Sequence, residues 1–410
     1  MEAMKKFGNI HGGFVGRLPT LFVSDPELVK QVLVKDFAVF PNRRVFGESK
    51  KDDIFGDMLS IMKGDKWKLV RNTLTPTYTS EKLKQVIENG DPIEFTKKFP
   101  TLTLDIIASV AFGMKINCIE NPNTEFVVNA QKAFRSNVKL IYIMLLFPFL
   151  FKWFSNFISN PFQYFSNIAN QTIDMRLKNK DFTRKDFLQI MLEAVIPNDE
   201  TKENQSIGPK KTTTISSIAY ELAQNQEIQD KLIKEVDEVM THTKGKLSYE
   251  GVASMKYLDK VTSETLRKYP PALRLDRICS EDDYKMNGIN IRKGIQVIIP
   301  VYAIHHNPEF YPNPNVFDPE RFSPENKAKR NPFTYLFFGA GPRNCIAKRF
   351  ALMEAKLVVV HMLYNYRFQT CKETEYPIKM YKGTGLLQPM SLKLVLQKRV
   401  DQPHFDETVE

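Results

Sequence analysis

One cysteine of this chain lies in a setting that favours chemistry. Cys345 ends the glycine-rich stretch FGAGPRNC, and the apolar pattern after it predicts a helix from about Ile346 to Tyr364. Unpaired N–H groups and the helix dipole stabilise negative charge at the start of a helix, which favours the thiolate form of the side chain. A thiolate binds soft metal ions, so Cys345 is a candidate metal ligand.

The other three cysteines, Cys118, Cys279 and Cys371, lie far apart and form no Cys-x-x-Cys pair. This spacing argues against a zinc site and a disulfide framework, and it is typical of reducing surroundings. We interpret all three as small buried residues. His305 and His306 are interpreted as a loop pair, because no carboxylate or third ligand stands at zinc spacing.

Helices must position this cysteine, because helical periodicity dominates the chain. Helices are predicted at 215–223, 228–239 and 258–269, and short strands at 20–23 and 296–299. Ser24 and Glu27 have capping-box spacing around Pro26, which predicts a helix start. The sequence therefore predicts a mainly α fold with small β-sheets. Residues 1–410 form one domain, with a polar loop at 197–211.

The composition excludes several classes of protein. A chain of 410 residues with 42% hydrophobic and 26% charged residues is neither disordered nor collagen-like. With four cysteines it is also not a disulfide-rich protein. The net charge of +11 indicates an acidic partner, an anionic membrane surface or nucleic acid. Because the basic residues lack an aromatic RNA-binding pattern, we expect no nucleic acid.

No segment of the sequence is predicted to cross a membrane. The first 13 residues lack the apolar region of a signal peptide, and the apolar run 140–151 is shorter than the roughly 20 residues required. The phenylalanine-rich segment 134–165 is interpreted as dipping into a membrane surface or covering a cavity. Ordinary core packing is the alternative.

The stretch around the reactive cysteine has the pattern Phe-x-x-Gly-x-Arg-x-Cys, formed by Phe338, Gly341, Arg343 and Cys345. It resembles the haem-binding loop of the cytochrome P450 family. The resemblance implies that Cys345 is the axial ligand of the iron in haem b, that Gly341 permits a tight turn, and that Arg343 reaches a haem propionate. The last glycine of the family pattern is Ala347 here, which we expect a helix to tolerate.

Four further residues extend the resemblance to the haem propionates. Trp67 and Arg71 match the family's Trp-x-x-x-Arg, and Arg43 and Arg277 are additional candidates. Two carboxylates in an apolar slot need several guanidinium groups, and arginine suits bidentate pairing. The resemblance implies that Trp67 and Arg71 hold a propionate, and it makes Arg43 and Arg277 candidates for the same role.

An ion cluster is also implied. Glu264 and Arg267 match the family's Glu-x-x-Arg, a spacing that places both side chains on one helical face. Arg321 lies in Pro-Glu-Arg-Phe and would complete a buried Glu-Arg-Arg cluster behind the haem. This role is structural, because paired buried charges fix one geometry and are costly to break.

Two departures from the family are visible in the sequence. The chain looks most similar to the microsomal branch of the family, whose members carry an N-terminal anchor helix, and by this resemblance it is expected to start roughly where the catalytic domain does. The slots of the distal acid and threonine hold Gly208, Pro209 and Lys210. A helix crossing a haem pocket needs about 30 residues, so we expect about half of the distal helix to be missing. Thr212 or Thr213 is a candidate replacement through a register shift; solvent-facing cap residues are the alternative.

The function implied by the resemblance is that of a haem-thiolate monooxygenase acting on a lipophilic xenobiotic, steroid or fatty acid. Electrons would come from NADPH through a separate flavoprotein reductase, and cytochrome b5 is a further candidate partner. The expected location is the cytosolic face of the endoplasmic reticulum membrane. Because the distal acid and threonine are absent, a catalytically impaired haem- or ligand-binding protein and a peroxide-using enzyme remain alternatives.

Overall fold

A computed structural model shows a mainly helical chain with three small sheets in its described part. It describes residues 2–44, 59–75, 123–134, 161–178, 210–380 and 389–403, with positions 116, 121, 146, 387 and 405. Within these residues the helices are α1 Glu2–Phe7, α2 Pro26–Lys30, α3 Gly64–Leu74, α4 Glu125–Phe134, α5 Pro161–Lys178, α6 Lys210–Gln224, α7 Gln226–His242, α8 Tyr249–Ser254, α9 Lys256–Lys268, α10 Val301–His305, α11 Pro324–Lys329 and α12 Lys348–Asn365. The strands are β1 Ile10–Val15, β2 Leu18–Val23, β3 Leu275–Ile278, β4 Tyr284–Met286, β5 Ile289–Ile291, β6 Gln296–Ile299, β7 Tyr366–Gln369 and β8 Val395–Lys398.

The largest sheet has the strand order β1-β2-β6-β3. Strand β6 lies parallel to β2 and antiparallel to β3, and all four of its residues are buried. Valine and isoleucine suit such a strand because their branched side chains pack well on a pleated surface. The register places Arg277 of β3 opposite Val297, which brings one arginine into the buried part of this sheet.

A second core is formed by helices. The apolar faces of α6, α7 and α12 pack together around residues such as Ile218, Leu232 and Val359, each at most 1% exposed. Burial of a side chain of this size contributes about 1.5–3 kcal/mol to folding. Helix α12 begins three residues after Cys345, so this core also holds the element that follows the cysteine. The predictions of a mainly α fold with small sheets are confirmed.

Element ends differ from the sequence predictions in two places. Asp25, not Ser24, caps α2: its carboxylate accepts from the N–H groups of Glu27 and Leu28, whereas the Ser24 hydroxyl donates to the carbonyl of Asn9. Both residue types are good caps, and spacing alone does not choose between neighbours.

The second difference concerns the predicted polar loop at 197–211. Its last two residues, Lys210 and Lys211, lie in α6, because lysine is as compatible with a first helical turn as with a loop. The rest of that loop and most of the phenylalanine-rich segment lie outside the described residues. In the part of the chain that the structure describes, no helix combines the length and apolarity needed to span a bilayer.

Candidate functional site

The loop before α12 is closed by three backbone hydrogen bonds. The N–H of Gly339 donates to the carbonyl of Leu336 at 2.7 Å, that of Asn344 to Gly341 at 3.0 Å, and that of Cys345 to Phe338 at 2.8 Å. Cys345 is thereby held at the base of a tight turn, with its side chain partly exposed. We call residues 336–345 the cysteine loop.

Gly341 is required by a close approach as well as by the turn. Its φ is +70°, and a Cβ at this position would lie 1.9 Å from the carbonyl oxygen of Leu33. Leu33 belongs to the π-helical turn Gln31–Lys35 that continues α2. The cysteine loop therefore packs backbone to backbone against this turn, which no side chain other than hydrogen permits.

Ala347 occupies the N-cap position of α12, with φ −85°. Alanine adopts this conformation without strain, so the family's glycine is not needed there for backbone reasons. The ring of Phe338 lies 3.8 Å from that of Phe337 between centroids, with the planes tilted by 47°. The Phe338 carbonyl is the acceptor for the N–H of Cys345.

Three arginines gather beside the cysteine loop. Arg343 is 3% exposed, donates through Nη2 to the carbonyl of Met62 at 2.6 Å, and lies 4.2 Å from the ring centre of Trp67. Arg43 donates to the carbonyl of Arg343 at 3.0 Å. Arg277 is 1% exposed and donates to the carbonyl of Asp276. One strand and two loops that are distant in sequence thus bring these arginines together.

Two of these arginines, Arg277 and Arg343, have more buried donors than acceptors among the residues that the structure describes. Nε and Nη1 of Arg343 and Nε of Arg277 are buried without a hydrogen-bond partner among the described residues. Burial, followed by the charge of Arg43, lowers the pKa of Arg277 to about 9 and that of Arg343 to about 10. Asp276 offsets part of this repulsion. A buried site with spare guanidinium donors fits a ligand that carries carboxylates.

Trp67 and Arg71 lie on α3, and both side chains contact the cysteine loop. Trp67 is 5% exposed and packs under the Arg343 guanidinium. Arg71 donates to the backbone carbonyl of Asn344 at 3.0 Å and to its side-chain oxygen at 2.8 Å. Four helical positions separate the two residues, so one face of α3 presents both to the loop.

Behind the cysteine loop lies a buried ion cluster. Nε and Nη2 of Arg267 donate to the two carboxylate oxygens of Glu264 at 2.7 and 2.8 Å, and both side chains are fully buried. Nε of Arg321 lies 3.4 Å from Glu264 Oε1, and the N–H of Asp318 donates to the same oxygen. Burial is the largest influence on the pKa of Glu264 and raises it, while Arg267 acts in the opposite direction.

The loop interpretation is wrong for His305, whereas His306 is the C-cap residue in the turn after α10. His305 ends α10 and is fully buried, and His306 is 5% exposed. Burial lowers the pKa of His305 to about 3 and that of His306 to about 4. His305 lies four positions after the buried Val301, so both residues lie on the same face of a helix. This spacing could have predicted from the sequence that His305 is buried.

The three remaining cysteines differ in their burial, and most of the distal residues lie outside the described part of the chain. Cys279 is buried, as interpreted, and burial raises its thiol pKa. Cys371 is partly exposed, so its interpretation as a buried residue is wrong. Cys118, Gly208 and Pro209 lie outside the described residues, and so do the side chains of Thr212 and Thr213, although their backbone belongs to α6.

Comparisons with known proteins agree with this geometry. The family model for cytochrome P450 matches residues 1–396. Cytochrome P450 3A11 of Mus musculus is 38% identical over 95% of this chain and 84% of its own length. Cytochrome P450 3A5 of Homo sapiens is 36% identical with the same coverage of each chain.

The chain belongs to the cytochrome P450 family, a class of monooxygenases that carry haem. Among the members it is similar to the two mammalian proteins named above, each matched along most of its length. Arg277 and Arg343, whose buried donors lack a partner among the described residues, fit the carboxylates of that haem.

Proposed function

We propose that this chain is a haem-thiolate monooxygenase that inserts one atom of dioxygen into a lipophilic small molecule, of the xenobiotic, steroid or fatty-acid class. The observation that carries the proposal is the convergence of Arg43, Arg277 and Arg343 at the loop that holds Cys345, where buried donors of Arg277 and Arg343 have no partner among the described residues. Haem bound through the sulfur of Cys345 would supply the activation of dioxygen.

Each protein group has a defined part in holding this cofactor. The three arginines neutralise the propionates, and Trp67 excludes water from the guanidinium of Arg343. Arg71 holds Asn344, the residue before the ligand, through two hydrogen bonds. The closed cysteine loop fixes the direction of Cys345, because its N–H is already bonded to the loop's own backbone.

Electrons are proposed to come from NADPH through a separate flavoprotein reductase, with cytochrome b5 as a second donor, at the cytosolic face of the endoplasmic reticulum. Lys66 and Lys68 on α3 and Lys348 and Arg349 on α12 are exposed near the cysteine loop. Such a basic surface attracts an acidic flavoprotein domain and raises the association rate.

The first test is the carbon monoxide difference spectrum of the reduced, haem-loaded chain. The wild type is expected to show the red-shifted band of thiolate ligation, and Cys345→Ala to lose it. Cys371→Ala, which removes the partly exposed thiol elsewhere in the chain, should keep the band. A wild-type spectrum without the band would refute the proposed haem ligation.

The second test measures product formation with a lipophilic probe such as testosterone. We expect product with reductase and NADPH. Product with cumene hydroperoxide but none with reductase and NADPH would contradict the monooxygenase proposal and favour a peroxide-using enzyme. Haem binding without product from either oxidant would favour a haem-binding protein.

A further inference from the structure

His305 joins two parts of the site that are distant in sequence. Its ring atom Nδ1 lies 3.1 Å from the carbonyl oxygen of Arg267, and the N–H of Leu336 donates to its Nε2 at 2.9 Å. Arg267 in turn donates through Nη1 to the carbonyl of His305 at 3.0 Å. One imidazole thus bridges the arginine of the ion cluster and the first residue of the cysteine loop.

The hydrogen bonds determine the protonation state of this ring. A backbone N–H can only donate, so Nε2 must be the unprotonated acceptor, and Nδ1 must carry the proton given to the Arg267 carbonyl. The ring is neutral, fully buried and satisfied at both nitrogens. The lowered pKa is consistent with this state.

The bridge continues from Leu336 into the cysteine loop. The same residue accepts from the N–H of Gly339, whose neighbour Phe338 accepts from the N–H of Cys345. Tyr335, the residue before the loop, stacks on the His305 ring at 5.5 Å and donates to the carbonyl of Ser263 on α9. The start of the loop is therefore anchored to α9 and α10 by side chains rather than by a sheet.

Resting on the proposed haem-thiolate function, we propose that His305 is a positioning residue that fixes the cysteine loop, and with it the Cys345 sulfur, relative to the Glu264–Arg267 ion pair. Its bond to the Leu336 N–H sets where the loop begins. Loss of this bond leaves a buried backbone donor unpaired, and the loop relaxes towards another acceptor. The sulfur then departs from the position in which the thiolate is held.

His306 provides the matched control. It is also a buried imidazole, but its Nδ1 bonds to the carbonyl of Tyr302 in the preceding helix α10, and its ring stacks on Tyr302 at 4.0 Å. Replacing His306 removes a ring of the same size and burial, one position along the chain, and leaves the bond to Leu336 in place.

The test uses two replacements that each keep one half of the imidazole. In His305→Gln the amide oxygen reaches the place of Nε2 and accepts from Leu336. In His305→Asn the amide reaches only the place of Nδ1, so the bond to Leu336 is lost. The fraction of bound haem that gives the thiolate band with carbon monoxide, and the haem dissociation rate, are measured on the full haem-loaded chains.

We expect His305→Asn to lose at least half of the thiolate band per bound haem and to release haem about 10-fold faster, as supporting groups around metal ligands commonly do. His305→Gln and His306→Asn should retain the wild-type band. Equal behaviour of His305→Asn and His305→Gln, at matched thermal stability, would overturn the inference and leave ordinary packing. The wild-type band reports separately on the proposed function.

Amide hydrogen exchange of the unmodified haem-loaded chain keeps the inference testable if a variant does not fold. The Leu336 N–H should exchange as slowly as the N–H groups of the buried strand β6. Rapid exchange of Leu336 would contradict the bond on which the inference depends.

Discussion

Gly339 and Gly341 of the cysteine loop differ in what a side chain at their position would contact. A positive φ is shared by Gly339 and Gly341, at +73° and +70°. A Cβ on Gly339 would meet ordinary contacts at 3.7 Å or more, whereas on Gly341 it would overlap the backbone of Leu33. Substitution of Gly339 therefore measures the free-energy cost of a left-handed backbone alone, whereas substitution of Gly341 adds the cost of a steric clash.

We expect Gly339→Ala to lower the free energy of unfolding by about 1–2 kcal/mol, the usual cost of a left-handed alanine. Gly341→Ala should lose more, about 3 kcal/mol or beyond, because the loop and the Leu33 turn must separate. Urea unfolding and haem content of the purified chains measure both effects. Equal losses for the two variants would show that the close approach to Leu33 carries no cost.

The buried histidines predict a pH dependence of stability. Burial depresses the pKa of His305 from 6.5 to about 3, and the charged or titratable groups facing it are Arg267, Arg330 and His306. The unfolded state therefore binds more protons than the folded state below pH 6.5, so stability falls as the pH drops towards 3. Between pH 7 and pH 5 this histidine accounts for a loss of about 2 kcal/mol.

The measurement is the free energy of unfolding at pH 7 and pH 5 for the wild type and for His305→Gln. The variant lacks the titrating ring, so its stability should fall less over this interval. An identical fall in both chains would contradict the assignment of a buried neutral ring.

At the scale of elements, α9 couples the ion cluster to the site. One face of this helix carries Glu264 and Arg267, three positions apart and both fully buried. Arg321 reaches the cluster from the 3₁₀ turn Pro319–Phe322, so two elements share one carboxylate. A helix end and an irregular segment are therefore held together by charge.

Glu264→Gln is expected to lower the free energy of unfolding by about 3–5 kcal/mol, because it leaves a buried guanidinium without a full counter-charge. Glu320→Gln is the control. Glu320 pairs with Lys260 at 2.8 Å but is 57% exposed, so its loss should cost about 0–1 kcal/mol. Chemical unfolding at pH 7 compares the two. A Glu264→Gln chain as stable as Glu320→Gln would refute the structural role of the cluster.

At the scale of the whole molecule, the effect of the net charge of +11 on partner binding depends on where the charges lie. Lys348 and Arg349 begin α12, directly after the cysteine loop, and both are exposed. Lys285 and Lys293 are exposed on the β4–β5 hairpin and the turn after it. The two pairs carry the same charge on different surfaces, which allows the surface at the cysteine loop to be tested separately.

Reversing both charges in Lys348→Glu/Arg349→Glu should raise the KM for the reductase about 10-fold at low salt, and the difference should shrink as salt screens it. Lys285→Glu/Lys293→Glu should leave this KM close to the wild-type value. Steady-state NADPH-dependent turnover at two ionic strengths measures the effect. Equal effects of the two pairs would show that net charge, not a docking surface, governs the encounter.

The sequence by itself determined the family, the cysteine and the mainly α fold. Those conclusions rest on local signals: the glycine-rich turn before Cys345, the helical spacing around Ile218, and the Glu264 and Arg267 spacing on one helical face. Such signals are visible because the interacting residues are close in the chain.

Only the tertiary structure decided which distant groups meet. It placed Arg43, Arg277 and Arg343 at one point, set Leu33 against Gly341, and turned His305 into a bridge to Leu336. No periodicity encodes these contacts, because they join strands, turns and loops whose relative positions depend on the packing of the whole core. The chemistry of the cysteine can therefore be predicted from the sequence, whereas the orientation of its side chain depends on the packed fold.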